Sequence, residues 1–292
     1  MTEADRIDAL ERNGIASLSD LESRAVKTLR EQLDRDQTRF RTYEPGFATK
    51  AYPWPRAPLH WWSRVWEYPY VFHAVQKWLS TYRRPGMPHV VDHGSGVTFF
   101  PFSMARMGCR ITCTDIDQVC QPEIDKAREL VDHTPGTVAF RHIDGSRMPF
   151  GSGEVDCVYS VSVIEHLHNI EECVADIARI LHPEGMLVLT CDLDLRGDER
   201  LGVEDYSRLR SALENWFIPL YPERSIHPLD MLTSERGPYA LQGPKGPRRV
   251  ARVAADALRD LLLARTPTSR VTWHLAVLGM AWIKRTDGPR RA

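Results

Sequence analysis

Short apolar runs alternate with longer amphipathic segments between residues 88 and 191. Short runs rich in Val, Ile and Leu are typical of strands that a parallel sheet buries on both faces. Segments in which apolar residues recur every three or four positions are typical of helices that pack on such a sheet. The pattern predicts strands at 89–92, 110–115, 138–143, 155–160 and 186–191, helices at 99–107 and 118–132, and a third helix that carries Val174, Ile177, Ala178 and Leu181. This middle part of the chain therefore predicts an α/β fold with a parallel sheet covered on both faces.

Beyond residue 191 the pattern becomes less regular. Apolar residues at helical spacing predict two helices, from Tyr206 to Trp216 and at 250–264. An apolar run at 272–283 predicts a last strand. Six of the 20 prolines fall within residues 217–249. Because proline interrupts both helices and central strands, we expect an insert at about 195–270 that covers the ligand edge of the sheet.

Residues 1–87 predict a helical, tryptophan-rich cap that precedes a sheet domain at 88–292. In the first 43 residues, apolar side chains repeat every four positions from Leu21 to Leu33, with Asp20 as the expected N-cap. A second helix is expected at about 71–82. Four of the eight tryptophans lie between these helices, at Trp54, Trp61, Trp62 and Trp66.

This aromatic segment has two interpretations, which are compatible with each other. Its side chains either pack on the sheet domain as part of the core or form a wall of a substrate pocket. In the second case the side chains that contact the substrate would be Trp62, Arg64, Glu67 and Tyr68. His227, in the predicted insert, is a further substrate-binding candidate, with a structural or solvated role as the alternative.

The composition is that of an ordinary globular protein, with 42% hydrophobic and 26% charged residues and a formal net charge of -1. We therefore expect a small-molecule partner rather than nucleic acid or a membrane. The first residues are charged and the sequence has no long apolar run, so we expect no leader and no membrane span. The six cysteines are scattered, without a Cys-x-x-Cys pair, so we expect free thiols and a cytoplasmic location.

Polar residues and glycines stand where four successive predicted strands end. Strand 89–92 ends in Asp92 and a Gly-Ser-Gly turn, and the following strands end in Asp115, Asp144 and Ser160. In an open parallel sheet, ligands bind beyond the carboxyl ends of the strands. Glycines allow close approach of the backbone to a ligand, and an acid about 20 residues further on can accept both ribose hydroxyls of a nucleoside. The strand ends therefore predict a nucleoside-type site.

The sequence of the glycine turn helps to distinguish between two kinds of nucleoside ligand. A dinucleotide-binding turn requires a third glycine, and Phe99 occupies that position. An acid directly before the turn, Asp92, suits a cationic ligand better than a pyrophosphate. A nicotinamide-dependent oxidoreductase is thus the weaker alternative.

Four segments in order resemble motifs of the class I S-adenosylmethionine-dependent methyltransferases, in particular the small-molecule branch similar to ubiquinone and menaquinone methyltransferases. They are the acid-x-Gly-x-Gly turn at 92–96, the Asp-x-x-x-x-Pro-Phe segment at 144–150, the strand at 156–160 with the Glu-His-Leu at 165–167, and the turn at 181–187. Thr98 and Met186 depart from the pattern at positions where glycine is common. The resemblance covers residues 88–191 and, loosely, the last strand.

The resemblance implies a Rossmann-like, seven-stranded, mostly parallel sheet whose last strand is antiparallel. It implies S-adenosylmethionine as cofactor and S-adenosylhomocysteine as product. Asp115 would bind the ribose and Asp144 the adenine amino group. The full set of implied cofactor-binding residues is Asp92, Gly94, Ser95, Gly96, Asp115, Ile116, Asp144, Gly145 and Ser160.

The expected reaction is in-line methyl transfer to a hydroxyl or amine of a small molecule, such as a secondary metabolite or a sugar. His166 is the candidate base, since an imidazole titrates near neutrality; alternatively it caps a helix or contacts only the cofactor. No metal is expected, because Ser162 stands where metal-binding relatives carry the first Glu of Glu-x-x-Glu-His. A binding protein without catalytic activity remains a further alternative, and the protein is expected to be a monomer or a homodimer.

Overall fold

The computed structural model describes residues 9–145, 147–195, 201–241 and 275–290. Its strands are β1 (Gly14–Ile15), β2 (His89–His93), β3 (Arg110–Asp115), β4 (Thr137–His142), β5 (Val155–Val161), β6 (Leu181–Asp194), β7 (Phe217–Pro219) and β8 (Leu275–Lys284). They form one sheet in the order β1-β8-β6-β5-β2-β3-β4, and β7 also pairs with β8.

Seven α-helices accompany these strands in the described part of the chain. They are α1 (Leu18–Glu22), α2 (Arg24–Phe47), α3 (Arg64–Thr81), α4 (Phe100–Ala105), α5 (Cys120–Leu130), α6 (Ile170–Ile180) and α7 (Val203–Trp216). Short 3-10 helices occupy Pro58–His60, Ile164–His166 and Pro228–Asp230. None of the described helices combines the length and the apolar character that a bilayer crossing requires.

The sheet confirms the predicted α/β, Rossmann-like architecture. Strands β2 to β6 pair in parallel, whereas β8 is antiparallel to β6, with Leu189 opposite Met280. The sheet has eight strands rather than seven, because β1 and β7 both pair with the far edge of β8. Strands of two and three residues are too short to show a periodic pattern in the sequence, so the pattern did not predict β1 and β7.

The two faces of the sheet are covered by two hydrophobic clusters. Consecutive residues of β2 belong to different clusters: Val90 packs in the cluster with α2 to α5, and Val91 packs in the cluster with α6 and α7. This alternation is the period of two that every strand imposes on its side chains. Trp62 and Trp66 lie in the first cluster together with residues of the sheet. The N-terminal segment and the sheet therefore share a hydrophobic core, and the division of the chain at residue 88 stays a prediction.

Several predicted element bounds were wrong. Asp20 is not an N-cap: it lies in the first turn of α1, in a reciprocal capping box with Ser17, and Ser23 caps α2. Helix α3 begins at Arg64 rather than near residue 71, with Pro69 inside it. Strand β6 is longer than predicted because it pairs with both β5 and β8. The predicted helix at 250–264 lies outside the described residues.

Candidate active site

The glycine turn after β2 is fixed by hydrogen bonds to the end of β3. The amides of Gly94 and Ser95 both donate to the Thr114 carbonyl oxygen, at 2.8 and 3.0 Å. Gly96 N donates to Asp115 Oδ2 at 2.8 Å. Gly94 and Gly96 have φ of 73° and 53°, a region that strongly favours glycine. The turn is thus held in a conformation that leaves its backbone close to the ligand edge of the sheet.

Two cavities open beside this turn. The first has a volume of about 670 Å³, and the second about 470 Å³. Both are lined by Trp54, Gly94, Asp115, Ser162 and His166. Because the two cavities share these walls, they form adjoining parts of one site at the carboxyl ends of β2, β3 and β5.

Asp115 stands between the two cavities. Its Oδ1 accepts a hydrogen bond from Asp117 N at 2.9 Å, so both carboxylate oxygens face backbone amides. Ile116 is 67% exposed and lines the second cavity with Gly145, Met148 and Leu167. An acid beside an apolar slot is an arrangement that fits a ribose and a flat base.

Asp92 is buried in the wall of the first cavity. It accepts a hydrogen bond from Tyr159 Oη at 2.8 Å. Burial raises the pKa of Asp92 to about 8; the Tyr159 hydrogen bond opposes this shift and the charge of Asp115 adds to it. Burial also lowers the pKa of the neighbouring His93 to about 4, so this imidazole is neutral. The part of the site beside the glycine turn therefore contains a carboxyl group, that of Asp92, whose charge depends on what binds next to it.

The first turns of α3 form another wall of the first cavity. Tyr68 stacks on Phe100 with ring centroids 4.4 Å apart, and Trp62 lies beside them in the cavity wall. Arg64 forms an ion pair with Glu67, and both hydrogen-bond to Ser162 Oγ, at 2.5 Å from Arg64 Nη1 and 2.8 Å from Glu67 Oε1. Although burial opposes it, the charge of Glu67 raises the pKa of Arg64, which stays cationic. The structure thus brings the four predicted residues of this segment together, with Glu67 behind the cavity wall.

Two further carboxylates, Glu165 and Asp192, line the first cavity. Glu165 Oε1 accepts a hydrogen bond from Asp192 N at 3.2 Å, whereas its Oε2 is buried without a hydrogen-bond partner among the described residues. Burial and the charge of Asp192 raise the pKa of Glu165 well above its ordinary range. This end of the cavity is therefore strongly unfavourable for negative charge as long as no ligand offsets it.

The structure places the other predicted site residues as follows. His166 is exposed and lines both cavities. Ser160 is fully buried below the site, where its Oγ donates to the His93 carbonyl oxygen at 3.3 Å. Asp144 is exposed and is not part of either cavity wall, although Gly145 next to it is. His227 lies away from both cavities, where its Nδ1 accepts from Leu229 N and caps the short helix Pro228–Asp230.

The lining of the first cavity includes residues that were not among the predicted site residues, among them Tyr52, Ser162, Glu165 and Asp192. Tyr52 Oη accepts a hydrogen bond from Val97 N at 3.0 Å and covers the glycine turn. Nothing in the sequence around Tyr52 signals this contact. Ser162 and Asp192 could have been found, because each closely follows or lies within a strand that ends at the ligand edge. Among the described residues, no group of three or more His, Cys, Asp or Glu side chains is arranged to hold a metal ion.

Part of the sequence is similar to a known protein family. Residues 91–189, about a third of the chain, match the family model of a methyltransferase domain. Together with the α/β fold, this match supports a methyltransferase domain in the middle of the chain.

Curated relatives resemble the same part of the chain. The bifunctional biotin-biosynthesis protein of Cellvibrio japonicus is 29% identical over 96 residues, which are 33% of this chain and 18% of that protein. An uncharacterised methyltransferase of Mycobacterium leprae is 28% identical over 136 residues, 44% of this chain and 47% of the relative. The chain thus matches less than half of the length of either relative.

Solved structures are similar at lower identity. The geranyl diphosphate C-methyltransferase of Streptomyces coelicolor, solved with Mg²⁺, geranyl diphosphate and S-adenosylhomocysteine, has a TM-score of 0.43 and 13% identity. That comparison covers 96% of this chain and 94% of the other.

Proposed function

We propose that this protein is an enzyme that transfers the methyl group of S-adenosylmethionine to a hydroxyl or an amine of a small molecule. The observation that carries the proposal is the position of Asp115. It holds the glycine turn through Gly96 N and also lines both cavities, one of which has the apolar slot of Ile116. A nucleoside with its ribose at Asp115 would reach both the slot and the larger cavity.

The residues present fit the proposed cofactor. Asp115 offers carboxylate oxygens to the ribose, and Ile116 and Met148 offer apolar contacts to the base. At the opposite side of the turn, Asp92 lines the larger cavity and gains favourable charge interactions when a cationic group lies beside it. The cofactor would supply an already activated methyl group, so the main task of the protein is to align it with the acceptor.

The larger cavity would hold the acceptor. Its volume of about 670 Å³ is in the range of small-molecule sites, and its walls combine aromatic rings with a few polar groups. Trp62 and Tyr68 would contact the apolar part of the acceptor. His166, exposed in both cavities, can accept a proton when the acceptor is a hydroxyl.

We further propose a cytoplasmic protein that acts on a secondary metabolite or a sugar-type acceptor as a monomer or a homodimer. The location is supported by the six cysteines, which are all free thiols. The aromatic wall of the larger cavity supports an acceptor with an apolar or ring-shaped part.

Calorimetric titration with S-adenosylmethionine, S-adenosylhomocysteine and NADH tests the proposal. The wild type should bind the first two. Asp115→Ala should weaken both by about 1.5–3 kcal/mol, the usual contribution of hydrogen bonds to a charged group. The matched control Asp125→Ala, on the exposed side of α5, should bind like the wild type. Binding of NADH alone would refute the proposal and favour an oxidoreductase.

A further inference from the structure

Five of the described residues line both cavities: Trp54, Gly94, Asp115, Ser162 and His166. The proposed function places the ribose of the cofactor at Asp115, the base in the second cavity and the acceptor in the first. The methyl group that is transferred must therefore lie where the two cavities adjoin. Trp54 has the only large apolar side chain among these five residues, and it lies outside the residues 91–189 that match the methyltransferase family model. The family match therefore assigns it no role.

The indole ring of Trp54 has most of its surface available to a ligand. Trp54 is 66% exposed, whereas Trp62 and Trp66 of the same N-terminal segment are 2% and 0% exposed. A tryptophan is usually well buried, because its ring is large and mostly apolar. Single exposed apolar residues are common on protein surfaces, but Trp54 lies in the walls of two cavities. A ligand that fills either cavity can therefore cover the ring and gain the free energy of burying it.

Trp54 lies in a short strap, residues 49–56, whose two ends are bound to one carboxylate of α5. Thr49 N and Thr49 Oγ1 donate to Glu123 Oε1 at 2.8 and 2.6 Å. Arg56 Nε donates to Glu123 Oε2 at 2.9 Å. Because Glu123 is fully buried, water does not compete for these hydrogen bonds to its charge. Both ends of the strap are therefore firmly held.

The middle of the strap is bound to the glycine turn. Tyr52 Oη accepts a hydrogen bond from Val97 N at 3.0 Å, and Tyr52 is 6% exposed. The Arg56 guanidinium lies 4.9 Å from the centroid of the Tyr52 ring, within the range of a cation–π interaction. Trp54 is therefore an exposed ring on a backbone that is fixed two residues before it and two residues after it. A ring that is held in this way loses little conformational freedom when a ligand packs on it.

The charge of the proposed cofactor determines what such a ring would add to binding. S-adenosylmethionine has a positive charge on its sulfur atom, whereas the sulfur atom of S-adenosylhomocysteine is neutral. Both molecules would gain from apolar contact with an indole ring, but only the cation is attracted by the face of the ring, and tryptophan attracts cations best among the aromatic side chains. The sulfur atom is bonded to the methyl group, so it also lies close to the junction of the two cavities.

We propose that Trp54 is a cofactor-binding residue whose ring packs against the sulfonium group of S-adenosylmethionine. This inference rests on the proposed methyltransferase function. The ring contributes an apolar contact and a cation–π attraction, and the second of these is lost when the sulfur atom becomes neutral. Trp54 therefore stabilises the bound methyl donor more than the bound demethylated product.

The affinities for the two forms of the cofactor test the inference. S-adenosylmethionine and S-adenosylhomocysteine are titrated calorimetrically into the wild type, Trp54→Leu, Trp54→Phe and Trp61→Leu. Trp54→Leu should weaken the binding of S-adenosylmethionine at least about threefold more than that of S-adenosylhomocysteine. Trp54→Phe keeps an aromatic face, so its loss should be smaller. Trp61→Leu is the matched control, because Trp61 is 47% exposed and lines the first cavity but not the second; both affinities should stay within about twofold of the wild type.

The two proposals fail in different ways. If the wild type binds neither ligand, the methyltransferase function is refuted. If the wild type binds both, but Trp54→Leu weakens them equally or not at all, only the inference about Trp54 is overturned. Partial unfolding of Trp54→Leu would lower the number of binding sites for both ligands alike, so the ratio of the two affinities separates a folding defect from a lost contact. Trp54→Gln, with a polar side chain at this exposed position, should show the same change in the ratio and replaces Trp54→Leu if that variant does not fold.

Discussion

Asp92 should make the stability of this protein depend on pH in an unusual direction. Asp92 is 4% exposed, and burial raises the pKa of its carboxyl group from an ordinary 3.8 to about 8. Between these two values the folded protein keeps the Asp92 proton and the unfolded chain has lost it. The contribution of Asp92 to stability is therefore fully present below about pH 4 and is lost as the pH rises towards 8.

The magnitude follows from the linkage between proton binding and folding. One extra proton in the folded state lowers the free energy of unfolding by about 1.4 kcal/mol for each pH unit. From pH 5 to pH 7 this amounts to about 3 kcal/mol, a large part of the stability of an ordinary domain.

The substitution Asp92→Asn isolates this effect. The asparagine oxygen can still accept the hydrogen bond that Tyr159 donates to Asp92, but the side chain is neutral at every pH. The free energy of unfolding of the variant minus that of the wild type should therefore increase by about 3 kcal/mol from pH 5 to pH 7. Urea unfolding of both proteins at pH 5, 6 and 7, without cofactor, measures this difference. Contributions of titrating groups that do not interact with Asp92 cancel in it.

Asp125→Asn is the matched control, because Asp125 is partly exposed on α5. Its difference from the wild type should stay constant over the same pH range. A constant difference for Asp92→Asn as well would show that Asp92 is already ionised in the folded protein at pH 5, and the argument from burial would be refuted.

Three further substitutions test local features of the site and its support. Gly96→Ala should destabilise the protein by about 1–3 kcal/mol, because the new Cβ would lie 2.3 Å from Tyr52 Oη; adding Tyr52→Phe should recover part of the loss in urea unfolding. Ser162 has a φ of 50°, so Ser162→Gly should be more stable than Ser162→Ala by about 1 kcal/mol in the same assay, and the reverse order would contradict backbone strain there. Glu123→Gln should cost about 3–5 kcal/mol, because it leaves the Arg56 guanidinium without its buried carboxylate; a loss below 1 kcal/mol in thermal unfolding would show that the pair contributes little.

The sequence predicted the centre of the sheet best. Strands β3 and β5 lie within one residue of their predicted bounds. Their interior residues are buried on both faces of the sheet, as is typical of parallel strands. The two-residue strand β1 could not be predicted, since Gly14 pairs with Gly279 at the other end of the chain. Such pairing depends on tertiary contact, which a local pattern does not record.

The candidate site was predicted where it depends on strand ends and missed where it depends on side-chain direction. Asp92 and Asp115 follow from the rule that ligands bind at the carboxyl ends of parallel strands. The same rule selected Ser160, which the structure places below the site. The rule locates an edge of the sheet but does not decide which neighbouring residue faces outwards, because successive side chains alternate between the two faces. Asp192 directly follows the predicted end of β6 at residue 191, so the same rule could also have selected it.

Helix α3 explains why the N-terminal segment bears on the chemistry of the cavity. Its first turn carries the Arg64–Glu67 ion pair, and one residue away Trp66 packs against the sheet, where a Cβ on Gly279 would lie 2.6 Å from the indole ring. Trp66 Nε1 also donates to Asp20 Oδ2 at 2.9 Å, which ties α3 to α1. Since the helix lies this close to the sheet, its first turn cannot shift without disturbing the core. The position of Arg64 in the first cavity therefore depends on packing outside that cavity, and we expect a substitution at Asp20 to weaken the binding of the proposed acceptor through the position of Arg64.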